Sequence, residues 1–335
     1  MEEEIKVSIC CTVYNHEKYL RKCLDGFVMQ KTNFAYEVLI HDDASTDHSA
    51  DIIREYEQKY PNIIKPIYQT ENQYSQGVKI SWVYQYPRAK GKYIALCEGD
   101  DYWCDENKLQ VQFDAMEAHP NVVFCAHKVQ CIRESGEFKQ EFYPRKTIES
   151  NMGIAPERMI EIMREHRYPF QTSSYFFRTE SVNHLTLDTA PVFMLLGGDL
   201  MLLMYMITEG DFYYIDNVFS YYRNDSIGSW SERNKNRVAS LCKNSIAAYY
   251  LFDLYTGEKY SKTIERIVKQ LCFDMYEQYH DYKKMCKLEN RWILNQLPFK
   301  QRLFYQISAV FPQFPKLYKK LKSTRARVSN NGKKD

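Results

Sequence analysis

Apolar positions in the first hundred residues follow two alternating rhythms. Short β-rich runs at 7–13 (VSICCTV), 36–41 (YEVLIH), 62–68 (NIIKPIY) and 92–97 (KYIALC) are separated by amphipathic stretches, EKYLRKCLDGFVMQK and TDHSADIIREYEQKY, and by a less regular segment over 77–90. Strand and helix alternating at this spacing predict βαβ units and a parallel sheet. In such sheets ligands sit beyond the carboxyl ends of the strands. Functional side chains are therefore expected where each strand stops.

Past residue 125 the pattern is mixed. A polar, Gly-containing stretch over 132–147 predicts a hairpin or loop, QTSSYFFR (171–178) a strand, GDLMLLMYMITEG a helix opening on Asp199, and DFYYIDNVFSYYR a further strand. From Ser231 onward long helical patterns dominate, RNKNRVASLCKNSIAAYYLFDLY and KYSKTIERIVKQLCFDMYEQYHDYKKM. These changes divide the chain into an α/β domain over 1–229, a helical region over 230–322 and a compositionally biased, disordered basic tail over 323–335. The longest apolar stretch, 191–207, is interrupted by Gly197, Gly198 and Asp199 and is too short and too charged for a membrane span.

Composition changes this picture in two places. The chain of 335 residues is 44% hydrophobic, enough for a large core, and its net charge of +2 conceals an asymmetry. From residue 287 to the end, 12 Lys/Arg face 2 acids, leaving 33 against 41 upstream. The basic end interleaves Phe, Tyr and Leu with Lys and Arg, which suits an anionic membrane surface; nucleic acid is the rival reading of the same charges and is not expected. Ten cysteines include no CxxC pair, and the opening MEEEIK is acidic where a secretory leader is basic. Reduced thiols in a cytoplasmic protein are expected, at the inner face of the membrane if the basic end docks there.

The strand ends carry acids. Strand two closes on HDDASTD, with Asp42, Asp43 and Asp47; strand four closes on CEGDDYW, with Glu98, Asp100 and Asp101. Asp47 suits a helix start, and Asp105 is expected to cap the helix beginning at ENKLQ. Two acidic clusters on one sheet edge repel each other and need a cation or hydrogen-bond donors to offset that repulsion. Tyr102 and Trp103, next in sequence, are equally well read as packing residues.

As an ordered set, SICCTVYNHEKYL, HDDASTD, GKYIALCEGDDYWCDENKLQ and LGGDLML resemble the family 2 nucleotide-sugar glycosyltransferases of the GT-A fold, particularly bacterial surface-polysaccharide enzymes, over roughly residues 5–230. The resemblance implies a Rossmann-like, mixed but mostly parallel sheet flanked by helices, here with a C-terminal helical extension. It implies an inverting, metal-dependent transfer of a sugar from a nucleoside-diphosphate donor, with UDP the default and dTDP or GDP open, to a hydroxyl of a glycan or lipid-linked acceptor. Thr12, Tyr14 and Asn15 match positions beside the nucleoside, and Asp42 or Asp43 matches the carboxylate that takes the base or ribose. Asp100 and Asp101 match the ligands of Mn²⁺ or Mg²⁺, while Glu98, standing where Asp is commoner, matches a contact to ribose or a metal-bound water. Asp199 matches the catalytic base. Arg223 and Trp230 match a loop that closes on the diphosphate, although the usual His is absent there. Arg88 and Lys90 read more simply as solvated surface charges.

Two rival functions share the architecture. A sugar-phosphate nucleotidyltransferase would need a Gly-rich phosphate loop near the N-terminus, and none is present. For a non-catalytic nucleotide- or glycan-binding protein, Asp199 would be superfluous.

Overall fold

A computed structural model describes residues 4–166, 168–183, 198–224, 238–316 and 319. The N-terminal strands are β1 (Ile5–Val13), β2 (Ala35–Asp42), β3 (Ile67–Tyr68), β4 (Tyr93–Leu96) and β5 (Tyr102–Trp103). They are followed by β6 (Val122–Ile132), β7 (Phe138–Tyr143), β8 (Gly153–Ile154), β9 (Phe176–Arg178) and β10 (Asp211–Arg223). Among the described residues these make one sheet in the order β3-β2-β1-β4-β9-β6-β10-β5, with β7 on β6 and β8 on β10. The long ladders, β1 on β2 and β6 on β10, are parallel, as are β1 on β4 and β2 on β3; the antiparallel pairings are shorter. The expected mixed, mostly parallel α/β sheet is therefore the one observed.

Helices α1 (Leu20–Val28) and α2 (Ser49–Lys59) follow β1 and β2. Leu20, Cys23, Leu24 and Phe27 of α1, together with Ile52, Ile53 and Tyr56 of α2, join Val7, Ile9, Val38 and Ile40 in one core. Glycine makes one of these approaches feasible. A Cβ on Gly91 would lie 2.6 Å from the Ser8 nitrogen, so only hydrogen fits where the chain enters β4.

The structure departs from the sequence pattern at four places. The run over 62–68 pairs as a strand only at Ile67–Tyr68, with Ile64 forming a single bridge to Val38; Pro66 between them has no N–H to give a ladder. The 11-residue β6 was not anticipated, because VVFCAHKVQCI is buried on both faces and shows no alternation. Nor was α4 (Pro156–His166), which opens on Pro and buries Met159, Ile160, Ile162 and Met163 on one face. The predicted strand over 171–178 is a 3₁₀ turn, Thr172–Ser174, before the short β9. Helix α3 spans Lys108–Ala118; α5 (Thr179–Asn183) and α6 (Gly198–Glu209) come later.

The chain separates into two compact units, Met1–Arg233 with Leu254–Tyr260, and Asn234–Asp253 with Ser261–Asp335. The second is helical, with α7 (Val238–Tyr255, shared between the units), α8 (Ser261–Gln278), α9 (Tyr282–Met285), α10 (Arg291–Gln296) and α11 (Phe299–Val310). Its small core is Phe273, Met285, Ile293, Leu294 and Tyr305. Among the described residues no helix is long and apolar enough to cross a membrane. Residue 229, where the sequence places its boundary, lies outside the described residues, as does the tail over 323–335.

Candidate active site

Strand order reverses at β1: β2 and β3 lie to one side, and β4 to the other. That reversal opens a crevice at the carboxyl ends of β1 and β4. The chain beyond β4 stays beside β1, with the Cys97 N–H donating to Cys10 O and the Gly99 N–H to Thr12 O, so Glu98 and Asp100 emerge next to the turn that holds Tyr14 and Asn15.

That turn is locked to the one after β2. Asn15 adopts φ 57°, and its Oδ1 accepts the Thr46 N–H at 2.7 Å while its own N–H donates to Ser45 Oγ. Glu17 N–H donates to Asp47 Oδ2, and His48 N–H returns a bond to Glu17. Asp47 thus works as a turn fixer, with hydrogen bonds from Ser49 and Glu17 holding its pKa below the usual carboxylate range against the upward pull of burial. The Thr12 hydroxyl lies 3.4 Å from Gln85 Oε1, and Gln85 Nε2 donates to Cys11 O and Leu39 O. Tyr14, 37% exposed, presents its ring to solvent at the crevice.

The neighbours Asp42 and Asp43 are used differently. Asp43 accepts the Gln73 and Tyr74 N–H groups on its two oxygens, at 2.7 and 3.1 Å, which fixes the loop after β3. Asp42 has a buried Oδ1 with no hydrogen-bond partner. Burial raises its pKa, partly offset by hydrogen bonds from Ser45.

The cluster after β4 also divides. Asp101 is 2% exposed, and its Oδ1 accepts the Arg223 N–H at 2.8 Å. Burial first, and Asp100 second, push its pKa well up. Glu98 is exposed, and Asp100 is half-buried. Burial, then the charge of Asp100, then that of Asp199 push the Glu98 carboxyl up to about 8. Asp199 on α6 therefore lies within electrostatic reach of the β4 cluster, a convergence that the sequence spacing of about a hundred residues does not reveal. The Asp199 side chain is exposed, and its Oδ1 accepts the Leu200 N–H at 2.8 Å.

Arg223 is not poised over open solvent. It is 4% exposed, and its guanidinium donates to Asp100 O, Arg133 O and Glu134 O and lies 4.3 Å from the Tyr19 ring centroid. It anchors the acidic loop to the end of β6. Arg88, read as a surface charge, is half-buried and donates to Lys65 O, whereas Lys90 is exposed. Asp105 accepts the Asn107 N–H just ahead of α3. Trp103 is core, 1% exposed, while Tyr102 stays half-exposed against Tyr221. Trp230 lies outside the described residues. Gln85, Gln73 and Tyr19 help to shape the site without a sequence signal of their own: the two amides stand outside any motif, and Tyr19, though inside SICCTVYNHEKYL, is indistinguishable there from a packing aromatic.

Oxygen donors dominate the crevice, as a hard divalent ion requires. The repulsion of Glu98 by Asp100 and Asp199, which adds to desolvation in raising its carboxyl, is what such an ion would relieve. Among the described residues no three His, Cys, Asp or Glu side chains enclose a metal position by themselves.

A family model for Glycosyl transferase family 2 matches residues 8–183. An uncharacterized protein of Mycobacterium tuberculosis is 44% identical over 138 residues, covering 41% of this chain and 39% of its own. A poly(ribitol-phosphate) beta-glucosyltransferase of Bacillus spizizenii is 38% identical over 107 residues, 32% of this chain and 16% of that protein. The chain thus spans well under half the length of these curated relatives. Among solved structures, S. aureus TarS 1-349 in complex with UDP-GlcNAc superposes with a TM-score of 0.59 at 18% identity, over 93% of this chain and 84% of that one. The mannosyltransferase PcManGT from Pyrobaculum calidifontis, in complex with GDP-Man and Mn²⁺, gives 0.53 at 13% identity, over 93% and 85%. At these identities the likeness is one of fold.

Proposed function

The chain belongs to glycosyl transferase family 2 and has its GT-A type of fold, and from that premise we propose that it moves a hexose-type sugar from a nucleoside-diphosphate donor to an acceptor hydroxyl, with inversion. The observation that carries this reading is the convergence of Glu98, Asp100 and Asp199 at the switch point of the sheet, beside the open ring of Tyr14. UDP is favoured because the TarS neighbour holds UDP-GlcNAc. The acceptor is a glycan or a lipid-linked precursor in bacterial surface-polysaccharide synthesis; the Bacillus relative, by its name a glucosyltransferase acting on a poly(ribitol-phosphate), supports a polymeric acceptor.

Residue roles follow from which groups lack a protein partner. Tyr14 stacks on the base, and the unpartnered Oδ1 of Asp42 accepts from the base or ribose, leaving Asp43 to hold the loop. Thr12 and Asn15 act through the turn geometry, since their side chains already have protein partners. Asp100, with Glu98 beside it, would hold Mn²⁺ or Mg²⁺, which when bound neutralises charge growing on the diphosphate. Asp101 and Arg223 hold the loop that presents Asp100. Asp199 takes the acceptor proton: its side chain is exposed in the first turn of α6, with one oxygen oriented by the Leu200 N–H.

The test is transfer by Asp199→Asn against the wild type with UDP-sugars and Mn²⁺. A fall in kcat of about 10²–10⁴-fold at unchanged donor affinity is expected. Undiminished turnover would remove Asp199 from the mechanism, and formation of pyrophosphate from NTP and sugar phosphate would favour the nucleotidyltransferase reading. A lipid-linked acceptor further calls for contact between the enzyme and a membrane surface.

A further inference from the structure

Helix α11 turns two aromatic residues inward and leaves an apolar stripe outside. Tyr305 is buried in the core of the helical unit, and Phe304 packs against Tyr282 and Phe314. On the opposite side Phe299 is 66% exposed, Leu303 41% and Val310 69%, and Phe311, just past the helix, is 63% exposed. At about 100° per residue, positions 299, 303 and 310 fall within roughly 40° of one another. They form one line rather than scattered exceptions, and exposed apolar side chains so aligned mark an interaction surface.

Cations flank the line. Lys300 is exposed on one side; Arg302 lies on the other, its guanidinium 5.8 Å from the Phe299 ring centroid. Neither Asp nor Glu occurs from residue 290 to residue 334, while Lys and Arg recur throughout that stretch. A protein partner with an apolar groove would not require this one-sided charge; a bilayer with anionic headgroups would, because long cationic side chains reach headgroups while their neighbours enter the acyl boundary.

We propose that the outer face of α11, Phe299, Leu303 and Val310 with Phe311, lies on an anionic lipid surface, held by Lys300 and Arg302. This extends the membrane contact named for a lipid-linked acceptor, and it assigns that contact to a described surface rather than to charge alone. Binding then has two separable parts: salt weakens the ionic part, and removing the apolar stripe weakens the part that salt leaves.

The experiment is flotation of the full chain with vesicles of phosphatidylcholine alone and of phosphatidylcholine with about 30% phosphatidylglycerol. The variant Phe299→Ser/Leu303→Ser/Phe311→Ser keeps every charge and alters only exposed side chains, with far-UV circular dichroism as the fold check. Wild type should float with the anionic vesicles and not the neutral ones, and the variant should lose at least tenfold in partitioning. Equal flotation of both proteins, or no flotation of wild type, overturns the proposal. So does a wild-type dimer in sedimentation that the variant dissolves, which would make the stripe a contact between copies, or tighter retention on RNA than on vesicles. Sugar transfer is read separately, so loss of the enzymatic reading would leave this result interpretable.

Discussion

Asp101 Oδ1 accepts the backbone N–H of Arg223 at 2.8 Å, tying the loop after β4 to the end of β10. The same Arg223 also donates its Nε–H to Asp100 O at 3.0 Å. These two bonds, both donated by Arg223, fix the backbone of Asp100 and leave that residue half-buried, so the two neighbouring acids have different work.

Asp100→Asn and Asp101→Asn should therefore separate. The first is expected to weaken Mn²⁺ binding by at least about tenfold and to lower turnover by about 10²-fold or more. The second keeps an acceptor for the Arg223 N–H and should leave Mn²⁺ affinity near wild type. Asp101→Ala, which strands a buried donor, should cost about 1–3 kcal/mol in urea unfolding. Titration of Mn²⁺ by isothermal calorimetry decides it: equal loss of affinity in both Asn variants would put the two carboxylates on the ion together.

Arg223→Lys should act on stability before donor binding. A lysine cannot span Asp100 O, Arg133 O and Glu134 O, and unpaired carbonyls in a site only 4% exposed should cost about 3 kcal/mol. A donor KM that rises more than tenfold with an unchanged unfolding midpoint would instead place the guanidinium on the diphosphate.

Lys108 supplies a pH dependence. It is fully buried, its Nζ lies 3.6 Å from the Trp103 ring centroid, and it has no hydrogen-bond partner. Desolvation lowers its pKa from 10.5 to about 7. Between these values the unfolded chain binds the proton that the folded chain sheds, so this group makes stability rise as pH climbs from about 7 towards 10.5. Lys108→Met should remove that rise and raise stability at pH 7 by about 2 kcal/mol. Thermal melts of both proteins from pH 7 to 9.5 give the comparison; parallel curves would mean that the ammonium stays charged against Trp103.

Gly91→Ala should be among the costliest single changes in the N-terminal unit. The added Cβ would meet backbone atoms of Val7 and Ser8 at 2.6 Å, and backbone within the β1–β4 ladder cannot step aside cheaply. A loss of about 2–3 kcal/mol is expected, measured by chemical denaturation.

The alternation of strand and helix, the acids at strand ends and the helix opening on Asp199 were legible in the chain because they are local: periodicity and turn chemistry act over a few residues. So was the family, through four ordered motifs. By contrast, β6 and α4 went unread, since a strand buried on both faces erases its own alternation and a short amphipathic helix competes with neighbouring polar loops. Which oxygens of the acidic pairs stay open was decided only by tertiary structure. Asp43 is occupied because the loop after β3 brings Gln73 and Tyr74 to it, and Asp101 because β10 brings Arg223 from 122 positions away. The same holds for α11, where the sequence shows aromatics among cations but only packing around Tyr305 determines which face is left to the outside. Sequence thus set the kinds of group at the strand ends. Long-range hydrogen bonds chose among identical neighbours, because two adjacent carboxylates are chemically equivalent until the fold gives one of them a donor.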